Sequence, residues 1–245
     1  MMHLFNGDAL AEACRVLALP GSFLVCRECL IDGPLMPLEG KTFWETRAEF
    51  IASDYEPGPA YHPYATEAFD RLLDLPADSE LHLWFEYDLF CQANLWYVLS
   101  VLDSRPEPIG KVYRVYPASR KQHDLWRGFG GMDEKALRDC FEKRFLLDAG
   151  TIRAGAAMWE AYSRQDFDRM RVLAASPMPG LPYLQEVVEA EIDRKTNGHI
   201  EKVVQQLQTE GITGFANLFA AFSEREGIYG LGDTQFRRWT LDARR

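Results

Sequence analysis

His3-Leu4-Phe5-Asn6-Gly7-Asp8-Ala9-Leu10-Ala11-Glu12-Ala13-Cys14-Arg15-Val16-Leu17 starts as a short apolar run, breaks at Asn-Gly-Asp and continues with helical spacing. The first part reads as a strand and the second as a helix. Ala9, Ala13, Val16 and Leu17 are expected to form its apolar stripe, with Asp8 as its cap. The same alternation recurs. Ser22–Cys26, Leu81–Phe85 and Lys111–Tyr116 read as strands, and residues 41–53, 65–75 and Cys91–Leu102 read as helices. Strands alternating with helices, with no hairpin signals between them, predict a parallel, Rossmann-like sheet of about four strands flanked by helices. This α/β ligand-binding domain is expected over residues 1–125. Helical patterns at 133–147, 151–162, 166–175, 182–194, 199–210, 213–226 and 233–242 predict an all-helical domain over 126–245.

Composition narrows the function classes. With 47% hydrophobic and 26% charged residues in 245, the chain is an ordinary globular one, long enough to bury a large core. Its formal net charge is −10, and the first 120 residues hold 18 acids against 9 bases. Such a surface repels phosphate backbones and anionic lipid heads, which argues against nucleic acid and membrane as partners. Five cysteines on apolar segments predict reduced thiols and a cytoplasmic location. Cys26 and Cys29 form a C-x-x-C, but without a second pair at zinc spacing. No apolar stretch reaches the 18 to 20 residues or so that span a bilayer, and MMHLFNGDAL lacks the basic and apolar regions of a signal peptide.

Ligands of open parallel sheets bind at the carboxyl ends of the strands. Three strands here end in polar or ionisable residues. The first ends at Asn6, Gly7 and Asp8, the second at Arg27 and Glu28 with Asp32 nearby, and the third at Glu86 and Asp88. Gln92 and Asn94 follow just inside the next helix. Asp8, Glu28, Glu86 and Asp88 form a candidate catalytic acid set. Clustered carboxylates need protonation, a basic partner such as Arg27 or Arg47, or a divalent cation such as magnesium. Asn6, Gly7, Arg27, Asp32, Arg47, Gln92 and Asn94 are the candidate ligand-binding residues. Each has a structural alternative: Asp8 and Asp88 as caps, Glu28 as an edge residue, Arg47 as a surface residue. No G-x-G-x-x-G, P-loop, H-E-x-x-H or G-x-S-x-G occurs. The glycine-rich Arg127-Gly128-Phe129-Gly130-Gly131-Met132-Asp133-Glu134 reads as a helix-entry loop or an anion contact.

The combination Asn6-Gly7-Asp8-Ala9-Leu10, Arg27-Glu28-Cys29-Leu30, Asp32-Gly33-Pro34, and Leu83-Trp84-Phe85-Glu86 with Asp88-Leu89-Phe90-Cys91-Gln92 resembles the bacterial proteins grouped as domain of unknown function 1835. Arg47 with Glu49-Phe50-Ile51, Gly128-Phe129-Gly130-Gly131-Met132 and Gly230-Leu231-Gly232-Asp233 extend the likeness over nearly the whole chain. Gly128-Phe129-Gly130 replaces an expected Gly-Leu-Gly. Cys91 stands where the pattern has an acid, and a thiol weakens a hard-cation site. The resemblance implies the strand-end residues as a site and attaches no activity to them.

The leading functional expectation is a phosphorylated or nucleotide-like small ligand at the strand ends, with metal-dependent phosphoester or phosphoryl chemistry as its enzymatic form. An alternative is a regulatory adaptor whose helical half meets a protein partner through Trp159, Phe215, Phe219, Phe222 and Trp239. A third reading is nucleic-acid binding through the C-terminal helices, where Arg237, Arg238 and Trp239 follow a glycine turn.

Overall fold

The computed structural model describes residues 1–55, 58, 60–117 and 121–242, and the side chains among these except at 122–123 and 238–242. The first half runs β1 (Met2–Asn6), α1 (Asp8–Ala13), β2 (Ser22–Cys26), α2 (Phe43–Asp54), α3 (Tyr61–Tyr64), α4 (Glu67–Leu73), β3 (Glu80–Trp84), α5 (Leu89–Asp103) and β4 (Lys111–Val115). The second half runs α6 (Glu134–Glu142), β5 (Phe145–Leu147), α7 (Ala149–Ser163), α8 (Phe167–Ala174), α9 (Leu184–Asn197), α10 (His199–Thr209), α11 (Phe215–Arg225) and α12 (Asp233–Asp242).

The strands form one sheet in the order β2-β1-β3-β4-β5, parallel except for β5. The fold is therefore α/β with a mostly parallel five-stranded sheet. Side chains alternate between its faces. Leu4, Leu24, Leu81 and Leu83 join the larger apolar cluster with α5 and α7, while Phe5, Trp84 and Val115 join a smaller one with α1 and α6. Helix starts follow local chemistry. A capping box of Thr42 and Glu45 opens α2, and Asp88, Asp133, Asp148 and Asp166 cap α5, α6, α7 and α8.

Three expectations are corrected. The helix expected over 133–147 ends at Glu142, and Phe145–Leu147 pairs antiparallel with β4, so the second half contains a strand. Three residues are too short for strand periodicity to register, and only pairing with β4 makes them one. The α1 stripe is also displaced: Ala9, Ala13 and Val16 are exposed, while Ala11, Cys14 and Leu17 are buried. A 3-10 turn at Arg15–Leu17 gives that segment a three-residue period. Finally, Gly7 occupies the cap position of α1, and Asp8 is its first residue.

The larger apolar cluster runs from Met2 to Phe236, across the boundary expected near residue 125. α5 and α7 supply its centre. Gly155 on α7 makes their approach possible, because a Cβ there would lie 2.9 Å from the Leu99 Cβ on α5. Among the described residues no helix is long and apolar enough to cross a membrane.

Candidate functional site at the strand ends

β1 and β3 are neighbours although β2 follows β1 in the chain, so strand order reverses between them. In open α/β sheets a ligand crevice forms at such a switch point, outside the carboxyl ends of the strands. Asn6 ends β1 at this point. Asn94 on α5 donates to Asn6 Oδ1 (2.8 Å) and to the Glu28 carbonyl (2.7 Å), and accepts from the Leu30 amide (3.1 Å). Asn6 in turn donates to Cys91 Sγ at 2.9 Å. One buried amide thus ties the ends of β1 and β2 to α5. Gly7 follows at φ 97°, conformationally a glycine position, and the space beside its Cα is open.

At the rim, Arg27 grips Asp8 with Nε at 2.9 and 3.0 Å and Nη2 at 2.8 Å. The guanidinium also lies over the Tyr64 ring, 4.5 Å from its centroid. The Arg27 hydrogen bonds hold the Asp8 pKa below the ordinary carboxylate value. The pair is solvent-accessible, with side-chain exposures of 25% and 57%, so its net stabilisation is small. It presents a bidentate fork beside the open Gly7.

Glu28 and Arg47 form a different kind of pair, with both side chains wholly buried. Arg47 donates to Glu28 Oε2 at 2.7 Å and Oε1 at 3.2 Å, and to the carbonyls of Asp32 (2.6 Å), Cys29 (3.2 Å) and Pro34 (3.3 Å). Tyr61 and the Cys29 amide also donate to Glu28. Burial alone would lower the Arg47 pKa, but Glu28 outweighs it and holds it above the ordinary arginine value. Every direction of this guanidinium is occupied, so Arg47 builds the wall behind the strand ends. Asp32 accepts from Tyr55 Oη at 3.0 Å. Tyr162 donates to the Leu30 carbonyl (3.0 Å) and Arg194 to the Ile31 carbonyl (3.2 Å). The segment after β2 is therefore clamped by side chains from both halves.

At the end of β3, Glu86, Asp88 and Cys91 bring ligand-capable atoms within 4.8 Å of one another. The Cys91 thiol faces Glu86 Oε2 at 3.4 Å, Asp88 caps α5 through the Cys91 amide (2.9 Å), and Glu86 accepts from the Phe129 amide. Burial raises the Asp88 pKa. Gln92 and Arg114 both donate to the Glu86 carbonyl, at 2.8 and 2.9 Å. Arg114 is wholly buried, and burial pulls its pKa down to about 10. It also donates to the Gly180 carbonyl at 3.0 Å. Both glycine motifs of the second half close over these acids. A Cβ at Gly128 would overlap Glu86, and one at Gly230 would overlap Asp88.

The donor set of two carboxylates and a thiol does not fit magnesium, which takes oxygen ligands in a near-octahedral shell and retains waters. A softer ion such as zinc suits a thiolate better.

Of the residues expected from sequence, Asn6, Glu28 and Asn94 meet directly through the Asn94 amide. Gly7, Asp8 and Arg27 line the rim, while Glu86, Asp88 and Gln92 gather at the end of β3. Arg47 and Asp32 lie on the wall. Arg114, Tyr61 and Tyr64 join the site without having been expected there, and Cys91 takes the position where the family pattern has an acid. Arg114 carried a signal: a charge inside Val112-Tyr113-Arg114-Val115 must find partners in a sheet covered on both faces. Tyr61 and Tyr64 gave none, since their partners lie 33 and 56 positions away. No family model matches the chain, and no curated protein matches it.

Proposed function

We propose that the chain binds a small phosphorylated or nucleotide-like ligand at the crevice between β1 and β3, in a Rossmann-like first half. The observation that carries this is the rim itself: an open Gly7 next to a guanidinium fork already holding a carboxylate. A phosphate oxygen pair matches that fork as well as Asp8 does and carries more charge. On binding, the anion takes Nε and Nη2 of Arg27, and Asp8 is released next to it. Released from the Arg27 hydrogen bonds that lower its pKa, Asp8 becomes a stronger base within reach of the ligand, so phosphoester or phosphoryl chemistry is the reaction class the arrangement would serve. Asn94 and Asn6 keep the strand ends in register, and Glu28 with Arg47 keeps the wall rigid. We further propose membership of the family grouped as domain of unknown function 1835, on its strand-end motifs and on Gly128 and Gly230 meeting Glu86 and Asp88. Five free, buried cysteines support a cytoplasmic location.

Thermal-shift titration with nucleotides and sugar phosphates, with and without divalent metals, tests the reading. A ligand at about a hundred times its Kd adds about 2.7 kcal/mol, a shift of several degrees. Arg27→Ala abolishes the shift and Asp8→Asn preserves or strengthens it. An unchanged shift in Arg27→Ala, or no shift with any phosphate, overturns the reading. The adaptor alternative gains no support from the helical half. Phe222 is buried, Trp159, Phe215 and Phe219 pack against the core, and Trp239 lies outside the described side chains.

A further inference from the structure

A concavity lies beside the segment that Arg47 clamps. Its volume is about 260 Å³. One wall is the apolar stretch Pro34-Leu35-Met36-Pro37-Leu38 and the floor is Ile31 with Tyr162. The polar lining comes from Ser163 and Gln165 at the end of α7 and from Glu191 and Lys195 on α9. Met36 and Leu38 remain 44% and 51% exposed at its edge, so apolar surface is left facing water.

The cleft is preformed. Tyr162 holds the Leu30 carbonyl, Arg194 the Ile31 carbonyl, and Arg47 the carbonyls of Asp32 and Pro34. These anchors are buried, so the wall need not be ordered by a ligand, which lowers the cost of binding.

Its lining carries one cation that stands outside the ion pairs of the described residues. Glu191 is paired at 2.6 Å with Arg194, both side chains at most 2% exposed, and is thereby neutralised. Asp32, which accepts from Tyr55, does not line the cleft. Lys195, one turn beyond Glu191, has no ion pair or hydrogen bond among the described residues. An apolar lining with one such cation selects a ligand with a compact apolar body and a single negative head. A nucleotide carries more charge than one ammonium balances.

We infer that this cleft is a binding site for a small monocarboxylate, its apolar body against Met36, Leu38 and Tyr162 and its carboxylate on Lys195. It is separate from the phosphate site proposed at the strand ends, and neither proposal depends on the other.

Benzoate is the probe and benzamide its neutral isostere. In an amide NMR titration, benzoate gives saturable shifts at Gly33, Leu35, Ser163 and Gln165. Benzamide binds about tenfold more weakly. Lys195→Met, which keeps the apolar stem, reduces benzoate to the benzamide level, and Lys195→Arg restores it. Lys195 is exposed, so the variant folds normally, as its unchanged melting temperature would verify. Three results each overturn the inference: no saturable shift with benzoate, equal binding of benzamide, or benzoate binding unaffected by Lys195→Met. Shifts confined to Gly7 and Asp8 would do so as well, by assigning the carboxylate to the strand ends.

Discussion

Two arginine–carboxylate pairs in this protein share a chemistry and differ in burial, and burial decides what each does. Arg27 and Asp8 meet in solvent, where water competes for both partners and little stability depends on them. That makes the contact exchangeable, the property a ligand-receiving fork needs. Arg47 and Glu28 meet at zero exposure, where removing one partner leaves an uncompensated buried charge. Arg47→Met is therefore expected to cost about 3–5 kcal/mol, whereas the double variant with Glu28→Leu recovers part of that loss. Urea denaturation of the two variants checks this. If the double variant is no more stable than Arg47→Met alone, the buried-charge explanation fails. Arg27→Ala, by contrast, changes stability by less than about 1 kcal/mol.

At the scale of elements, the β1–β3 pairing carries two stacked histidines. His3 and His82 are register partners on adjacent strands, their ring centroids 4.7 Å apart, and both are wholly buried. Trp84 Nε1 donates to His3 Nδ1 (3.1 Å), while His3 Nε2 faces the Pro20 carbonyl (3.1 Å), which fits a neutral ring. His82 Nε2 faces Glu80 Oε1 at 2.9 Å. Burial lowers the pKa of both, that of His82 to about 4, with His3 adding to the depression. In the unfolded chain both return to 6.5. Between these values the unfolded state binds more protons than the folded one, so stability is full above pH 6.5 and falls as pH drops toward 4. Each proton contributes a slope of about 1.4 kcal/mol per pH unit within that window. Chemical denaturation at pH 7, 6 and 5 measures the slope, and His82→Leu is expected to reduce it by about one proton's worth. An equal slope in that variant would sink the explanation.

For the whole molecule, the apolar core decides how the chain behaves as a unit. One cluster joins Leu4 and Leu83 of the sheet to Met158, Val187, Val204 and Phe236 of the later helices. Polar clamps cross the same junction, from Tyr162 to Leu30 and from Arg194 to Ile31. A molecule so joined is expected to unfold in one cooperative transition, with circular dichroism and tryptophan fluorescence tracing the same curve. A fragment ending at residue 125 loses α7 from against α5 and is expected to aggregate or remain unfolded. Two resolved transitions, or a folded 1–125 fragment, would give the halves separate stabilities.

Much of this was legible in the residues alone. The apolar runs ending at Asn6, Cys26 and Phe85, the cap at Asp88 before α5, and the alternation of strand with helix are local signals, because hydrophobic period and capping act over a few residues. They determined the parallel α/β sheet and the polar character of its strand ends. What they left open depends on distance in space. Asn94 reaching Asn6 across 88 positions, Arg47 turning inward to Glu28, and β5 pairing with β4 each depend on where other segments lie. The same is true of Gly128 and Gly230, whose missing side chains matter only because Glu86 and Asp88 stand beside them. A guanidinium has the same chemistry at position 27 as at 47. Only the packing around it, which sets its solvent access and its partners, makes one an exchangeable fork and the other a structural brace.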